Sequence, residues 1–265
     1  MVARFICVVF LLTVVSGCAV SQTAVVTKIA LLAPFEGQYR EIGYEALYAA
    51  RLAIDDANLQ DISLLAIDDG GREETAILRA EAIANDPVIQ AVLLIGIHAS
   101  SESVQLVLSD ETTIIVGHWN SRPVTENTVM LANQDLENEI NFSGDVNDIV
   151  AEQTIIGSEI LSLAQVPQLL SDISSIEVIS SSQLPDETFR ERYLNSAQFV
   201  PEPRLIAPLT YDATQIVLQT ILNQQPLSEI VYEGITGTIR FENGYWMDAP
   251  MNRFRYINNE LTQLP

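Results

Sequence analysis

The sequence is poor in basic residues. It has a single lysine, Lys28, and 13 Lys and Arg residues in total against 35 Asp and Glu residues, so its formal net charge at pH 7 is −22. Proteins that bind nucleic acid neutralise phosphates with many Lys and Arg side chains, and this composition therefore argues against DNA or RNA as a partner. The same shortage argues against a basic patch that docks on an anionic membrane surface. Apolar residues make up 48% of the 265 residues, which is typical of a folded chain.

Cysteine is scarce as well, because the only two cysteines, Cys7 and Cys18, both lie near the start of the sequence. Arg4 is the single charged residue of positions 1–17, and an almost uninterrupted apolar run follows it over 5–15. This run is too short to span a bilayer as a helix, which needs about 20 apolar residues. It predicts a secretory signal peptide over residues 1–17.

The residues before Cys18 indicate how the mature chain begins. Positions 15–18, Val-Ser-Gly-Cys, look like a bacterial lipobox, in which the cysteine is acylated and becomes the first residue after cleavage. An ordinary signal peptide with a chance cysteine is the alternative. We expect an extracytoplasmic lipoprotein that is membrane-anchored, in the periplasm or at the cell surface, through acyl chains such as palmitate on Cys18, with residues 18–26 as a tether. Cys7 would leave with the signal peptide, so we expect no intramolecular disulfide.

The first half of the mature sequence alternates short apolar runs with amphipathic segments. The pattern predicts strands over 28–33, 62–67, 89–95 and 113–116, and helices over 42–58, 72–85 and 101–108. Continuous apolar strands separated by amphipathic helices indicate an α/β fold with a parallel sheet that is covered on both faces.

Ligands of such sheets bind beyond the carboxyl ends of the strands. The loops that leave those ends here are 35–43, 68–71, 96–101 and 117–122. None of them carries the Gly-x-Gly-x-x-Gly dinucleotide fingerprint, and the sequence contains no P-loop with its Gly-Lys-Ser/Thr. We therefore expect no cofactor.

The third of these loops holds two candidate ligand-binding serines. Ser100 and Ser101 stand at the start of a predicted helix, where free N–H groups and the helix dipole favour a carboxylate. The alternative is that one serine only caps the helix. The sequence leaves both interpretations open.

Both histidines, His98 and His118, directly follow predicted strands. A metal or acid–base role is one interpretation, and polar lining of a pocket or a structural role is another. A third metal ligand is not evident, nor is a paired nucleophile and base, so we expect neither a metal site nor an enzyme. Trp119 and Asn120 add an apolar wall and an amide to the fourth loop, although Trp119 could equally pack within the loop.

Several segments resemble those of known proteins in the same order along the chain. They are KIALLAPFEGQYREIGYEALYAARLAIDDAN, DDGGREETAILRAEAIANDPVIQAVLLIGIHASSES, YDATQIVLQTIL and GITGTIRFENG. Together they resemble type I periplasmic binding proteins, and more narrowly the branched-chain amino acid substrate-binding lipoproteins of ABC importers. The resemblance covers about two-thirds of the mature chain.

The resemblance implies where a ligand would bind. In that family the loop after the third strand holds the carboxylate of the amino acid, and this loop maps onto Ala99, Ser100 and Ser101. The loop after the fourth strand adds polar contacts. The first loop gives an aromatic or polar wall, here Phe35, Gln38 or Tyr39. From the resemblance and the two histidine positions we predict these site residues: Tyr39, His98, Ala99, Ser100, Ser101, His118, Trp119, Asn120 and Ser121.

The resemblance also implies two lobes, each with a parallel sheet flanked by helices. Lobe one would hold 27–124 and 185–226, and a reduced lobe two would hold 127–184 and 227–265. Within lobe two the sequence predicts one helix, over 150–164, and no clear early strand, so we expect that a strand–helix unit is missing. The aromatic clamp and the acid for the ligand's ammonium that lobe two usually supplies cannot be assigned.

Two functions remain open at this point. The first is a solute-binding lipoprotein that delivers an amino acid of branched-chain type, or a similar small polar solute, to an ABC permease. The second is a degenerate binding-protein fold that acts as a sensory, regulatory or protein-interaction lipoprotein without transport.

Overall fold

The computed structural model describes residues 26–142, 146–149, 154–169 and 175–265. The predicted signal peptide and Cys18 lie outside the described residues. Among the helices in the described part of the chain, none is long and apolar enough to cross a membrane.

The described residues form twelve strands and seven α-helices. The strands are Thr27–Ala33 (β1), Ile62–Asp68 (β2), Ile89–Leu94 (β3), Thr113–Val116 (β4), Thr128–Leu131 (β5), Ile155–Gly157 (β6), Ile176–Ser180 (β7), Val231–Glu233 (β8), Thr238–Glu242 (β9), Tyr245–Trp246 (β10), Asn252–Ile257 (β11) and Glu260–Gln263 (β12). The helices are Arg40–Ala57 (α1), Glu73–Ala84 (α2), Glu102–Val107 (α3), Leu136–Glu139 (α4), Val166–Leu169 (α5), Glu187–Asn195 (α6) and Ile206–Asn223 (α7). The four strands and three helices predicted for the first half of the mature chain are thus confirmed within one or two residues.

The larger sheet has eight strands in the order β2-β1-β3-β4-β5-β10-β9-β8. Its strands pair in parallel from β2 through to β10, while β10, β9 and β8 pair antiparallel. The residues of β4 and most of those of β1 and β3 are fully buried, because helices cover both faces of the sheet. This arrangement confirms the predicted fold class.

Helices α1 and α7 pack closely against each other on one face of the larger sheet. The contact is lined by small or aromatic side chains, among them Ala49, Ala53, Ala207 and Tyr211. Small side chains let the two helix backbones approach, and the aromatic ring fills the remaining space. Tyr211 also donates a hydrogen bond from its hydroxyl to Asp56 Oδ2 (2.7 Å), so it serves this packing.

The smaller sheet has four strands in the order β12-β11-β7-β6. Only β6 and β7 pair in parallel, whereas β7–β11 and β11–β12 are antiparallel. The expected parallel sheet of the second lobe is therefore wrong for two of its three strand pairs. Its two antiparallel pairs come from the C-terminal segment, which returns as a hairpin instead of through a crossover helix.

The helix predicted over 150–164 is wrong where the structure describes it. Residues 155–157 form strand β6, and Glu159–Ser162 form a 3-10 turn. The apolar residues that suggested a helix instead pack into the core, where Ile160 and Leu161 are buried. The burial of these residues in the tertiary structure therefore outweighs the helical spacing of apolar residues in the sequence.

Two segments assigned from the sequence to the second lobe contribute strands to the larger sheet. Residues 128–131 form β5 beside β4, and residues 231–246 form β8, β9 and β10. The hairpin of β9 and β10 buries Ile239, Phe241 and Trp246, and β10 pairs with β5. The expected ranges of lobe two, 127–184 and 227–265, therefore each include strands that belong to the larger sheet.

The turn between β8 and β9 is fastened to α7 by Asp212. The Asp212 carboxylate is fully buried and accepts hydrogen bonds from the N–H of Ile235 (3.0 Å), the N–H of Thr236 (2.8 Å) and the Thr236 hydroxyl (2.6 Å). Burial raises the pKa of Asp212 to about 6. Gly234 lies so close that an added Cβ would be 2.4 Å from Asp212 Oδ2. Residues 211–213 (Tyr-Asp-Ala) and 234–237 (Gly-Ile-Thr-Gly) therefore hold one another in place.

Candidate functional site

The strand order 2-1-3-4-5 places a switch point between β1 and β3, and a crevice forms outside the carboxyl ends of strands at such a point. A cavity of about 280 Å³ lies there. It is lined by the four loops predicted from the sequence and by Ile160 of the smaller-sheet segment. Its volume is close to the lower end of the range of about 300–1,000 Å³ that is usual for small-molecule sites.

Asp68, at the end of β2, positions the loop after β1. Its Oδ1 accepts hydrogen bonds from the N–H groups of Phe35 (2.7 Å) and Glu36 (3.2 Å), and its Oδ2 accepts one from Gly70 N–H (3.1 Å). Two loops that line the cavity are therefore joined through one carboxylate. Both turns also rely on glycine, since Gly37 and Gly70 have φ angles of 73° and 72°.

Asp69, the next residue, lies on the cavity wall and is 1% exposed. Its Oδ1 accepts a hydrogen bond from Gly71 N–H (2.8 Å). Burial raises the pKa of Asp69, while that hydrogen bond and the nearby charge of His98 oppose the rise. A buried carboxyl on a cavity wall is a group of the kind that binds a polar ligand.

Residues 146 and 164–165, on either side of β6 in the sequence, contact the loop after β1 and the start of α1. Tyr39 Oη accepts a hydrogen bond from Val146 N–H (3.3 Å), and Gln165 Nε2 donates to the carbonyl of Gln38 (3.0 Å). Ala164 N–H donates to Glu41 Oε1 (2.8 Å). Ile160, from the same part of the chain, lines the cavity itself, so residues on both sides of the molecule contribute to its surroundings.

Glu159 joins the two sheets beside the cavity. Its carboxylate is fully buried and accepts hydrogen bonds from His118 N–H (3.0 Å) and from the Ser180 hydroxyl (2.5 Å). The neighbouring Ser158 hydroxyl donates to the carbonyl of His118 (2.7 Å). Burial raises the pKa of Glu159 and lowers that of His118. The loop after β4 is thereby fixed to the start of the 3-10 turn.

Three of the nine predicted site residues line the cavity: Tyr39, His98 and Trp119. His118, Trp119 and Asn120 border a second, much smaller space of about 10 Å³ next to it. Trp119 is almost fully buried, and its indole N–H donates to the carbonyl of Val116 (2.6 Å). It packs within its loop and at the same time forms a wall of the cavity.

The predicted serines are used within the protein. Ser100 is fully buried, its hydroxyl donates to the carbonyl of Gly96 (2.8 Å), and the Ser121 hydroxyl donates to Ser100 Oγ (3.1 Å). Ser101 caps α3 by accepting a hydrogen bond from Val104 N–H (3.4 Å). Ala99 is buried beside them. None of these four residues is part of the cavity lining, and their binding role stays a prediction.

Two residues of the site, Asp69 and Glu159, are not among those predicted from the sequence. Asp69 belongs to the Asp-Asp-Gly-Gly segment at the end of β2, and this position at the end of a strand is a local signal for it. Glu159 carried no such signal, because its partners His118 and Ser180 are 41 and 21 residues away in sequence. Within the described residues, no group of three or more His, Cys, Asp or Glu side chains could hold a metal ion.

No family model matches the sequence, and no curated protein matches it either. Solved structures do match. The leucine-binding protein LivK from Thermotoga maritima has a TM-score of 0.74 at 12% identity, with 91% of this chain and 98% of that one covered. The branched-chain amino acid transporter substrate-binding protein LivJ from Streptococcus pneumoniae, in complex with isoleucine, has a TM-score of 0.67 at 12% identity, with 89% and 97% covered. A solute-binding protein of an ABC transporter from R. palustris, in complex with benzoate, has a TM-score of 0.59 at 11% identity, with 89% and 95% covered.

The chain therefore has the fold of a two-lobed α/β binding protein. More particularly, it has the type I periplasmic-binding-protein fold, and branched-chain amino acid substrate-binding proteins are among its structural neighbours.

Proposed function

We propose that the protein is an extracytoplasmic solute-binding lipoprotein that delivers a small solute, an amino acid of branched-chain type, to an ABC permease and catalyses no reaction. The observation that carries the proposal is the cavity of about 280 Å³ at the switch point, which is lined by loops of the larger sheet and by Ile160. Hydrogen bonds from Val146 and Gln165 to the loop after β1 support it, because they join that loop to the other part of the molecule. The fold supports it, because the structural neighbours are named as solute-binding proteins with isoleucine, leucine or benzoate as ligands.

The cavity lining fits a small amphipathic solute. Ile42, Ile97, Ile160 and Trp119 supply apolar surface, as the side chain of a branched-chain amino acid would need. Tyr39, His98 and Asp69 supply a few polar groups that could orient it. We assign these residues as the binding residues of the proposed site.

Ligand binding is tested by isothermal titration of the purified protein with each proteinogenic amino acid. We expect at least one branched-chain amino acid to bind, and to raise the free energy of unfolding by about 2.7 kcal/mol at a hundred times its Kd. Ile97→Trp, which fills the cavity from a half-buried position, should weaken this binding at least tenfold. Ile257→Trp, on an exposed strand position of the smaller sheet, is the matched control and should not.

The absence of heat and of any thermal shift with all amino acids at millimolar concentration would contradict the proposal. It would favour the second function, an interaction or regulatory lipoprotein. The direct hydrogen bonds between the two sheets at Glu159 are the observation that such a function would rest on, because they can hold the lobes together without a ligand.

Acylation of Cys18 is a separate prediction. Cells that express the protein and are fed radiolabelled palmitate should yield a labelled band, and Cys18→Ala should abolish the label because no other mature residue offers a thiol. Cys7→Ala is the matched control, since Cys7 belongs to the predicted signal peptide and its replacement should leave the label unchanged. A label that persists in Cys18→Ala would refute the lipid anchor.

A further inference from the structure

Asp69 uses only one of its two carboxylate oxygens within the protein. Oδ1 accepts the hydrogen bond from Gly71 N–H (2.8 Å), while Oδ2 has no hydrogen-bond partner among the described residues. Every fully enclosed side-chain nitrogen or oxygen of those residues does have a partner. Oδ2 therefore opens onto the cavity that Asp69 lines, although the residue as a whole is 1% exposed. A nearly buried carboxylate oxygen without a donor is costly unless something donates to it.

Glycine keeps the space next to this oxygen open. Gly96 has a φ angle of 98° and also lines the cavity. A Cβ at Gly96 would lie 4.0 Å from Asp69 Oδ2 and 3.0 Å from Pro34 Cδ. A side chain at this position would therefore press against Pro34 and occupy space beside Asp69 Oδ2, which glycine leaves open.

The charges around the cavity favour a positive ligand group. Its titratable lining residues are Glu36, Tyr39, Asp69 and His98, and the described lining includes no Lys or Arg. The charge of His98 lowers the pKa of Asp69, and the like charge of the adjacent Asp68 raises it. Burial makes the charged form of Asp69 expensive, and a bound cation would offset that cost.

We propose that Asp69 Oδ2 binds the protonated amino group of the ligand, so that the cavity selects small aliphatic amines and amino acids. The inference rests on the proposed solute-binding function and adds to it the chemistry that the ligand must carry. The acid for the ligand's ammonium would then be Asp69, in the first lobe. In the resembling family the second lobe usually supplies this acid, and no residue of the reduced second lobe can be assigned to that role.

A metal ion fits Asp69 Oδ2 less well than an ammonium group does. No group of three His, Cys, Asp or Glu side chains is gathered there within the described residues, and a divalent cation needs several oxygen ligands. An ammonium group, by contrast, needs one or two acceptors and room for its hydrocarbon part, and the isoleucine side chains of the lining provide that room.

The experiment compares three probes of the same skeleton by isothermal titration of the purified protein. Leucine carries both charges, isoamylamine lacks the carboxylate, and 4-methylpentanoate lacks the amine. We expect leucine and isoamylamine to bind, and 4-methylpentanoate to bind at least tenfold more weakly than isoamylamine. Asp69→Asn should weaken leucine and isoamylamine by about tenfold or more. Asp61→Asn, an exposed aspartate outside the cavity, is the matched control and should leave both affinities unchanged.

The outcomes separate the two proposals. Unchanged leucine binding in a folded Asp69→Asn variant, or 4-methylpentanoate binding as tightly as isoamylamine, overturns the role of Asp69 and leaves the solute-binding function intact. Isoamylamine binding without any amino acid binding supports the role of Asp69 and removes the amino acid ligand. No binding of any probe overturns both. If Asp69→Asn does not fold, the comparison of isoamylamine with 4-methylpentanoate on the unaltered protein still decides the question.

Discussion

Glu45→Ala is expected to lower the free energy of unfolding by about 3–5 kcal/mol, measured by urea denaturation. Glu45 is 1% exposed, and its Oε1 accepts hydrogen bonds from the N–H groups of Arg204 (2.7 Å), Ile206 (3.1 Å) and Ala207 (2.8 Å). These donors form the start of α7, and each buried donor left without a partner costs about 1–3 kcal/mol. One side chain of α1 thus satisfies the first turn of the helix against which α1 packs.

Glu45→Gln is the matched control, because an amide oxygen can keep all three hydrogen bonds. It also tests the charge, since burial raises the pKa of Glu45 to about 7. In the unfolded chain the group releases its proton near its ordinary value of 4.5. Between about pH 4.5 and 7 the unfolded state therefore binds fewer protons, and the contribution of Glu45 to stability falls as pH rises, by at most about 3 kcal/mol.

The Gln variant carries no such group, so the unfolding free energy of the unaltered protein should decline relative to that of Glu45→Gln over this pH range. The remaining titrations, including that of Asp212, are present in both proteins and cancel in the difference. Parallel pH curves for the two proteins would disprove the raised pKa, and a Glu45→Ala variant as stable as Glu45→Gln would disprove the capping role.

Glu159→Ala is the second substitution with a large expected effect, a loss of about 2–4 kcal/mol in the free energy of unfolding. It leaves His118 N–H without an acceptor and Ser180 without the acceptor of its hydroxyl, both in buried positions where no solvent replaces the carboxylate. Because these bonds join the larger sheet to the smaller one, we expect the variant also to become more sensitive to proteolysis around the smaller sheet.

A double-mutant cycle with Gly117→Ala measures the contact between position 117 and the Glu159 carboxylate. Gly117 has a φ angle of 82°, and an added Cβ would lie 3.2 Å from Glu159 Cδ. Gly117→Ala should therefore cost more in the presence of Glu159 than in Glu159→Ala, with a coupling energy of about 1 kcal/mol. Gly71→Ala is the matched control, because its φ is 65° and nothing lies within 4 Å of the added atom. Its cost should be the same in both backgrounds, and an equal cost for Gly117→Ala would rule the contact out.

The first five strands of the larger sheet show how far local patterns reach. Four of them, β1 to β4, are continuous apolar runs followed by turn residues, and their sequences alone predict them within one or two residues. β5 is as apolar and as buried as β4, yet the resemblance to the binding-protein family places it in the other lobe. Its neighbours in the sheet are β4 and the distant β10, and no local pattern records that pairing.

The candidate site shows the same division. The loops that line the cavity follow from the order of strands and helices, and Tyr39, His98 and Trp119 were predicted site residues that lie on its wall. Ser100 and Ser101 have the sequence of a carboxylate-binding turn, but their hydroxyls bond to Gly96, Ser121 and the first turn of α3. A serine that caps a helix and one that binds an anion have the same local sequence.

The amino-acid sequence alone determines the shortage of basic residues, which argues against nucleic acid as a partner, and it indicates the α/β class of the chain. Composition and the spacing of apolar residues can be read from short stretches of sequence. The burial of each apolar run then stabilises the strand or helix that its spacing predicts. Only the tertiary structure determined three other features. They are the mixed strand directions of the smaller sheet, the carboxylate oxygen of Asp69 that has no hydrogen-bond partner among the described residues, and the buried hydrogen bonds of Glu159. Each depends on groups that the fold brings together from distant positions, and the free energy of a buried polar group is set by those partners.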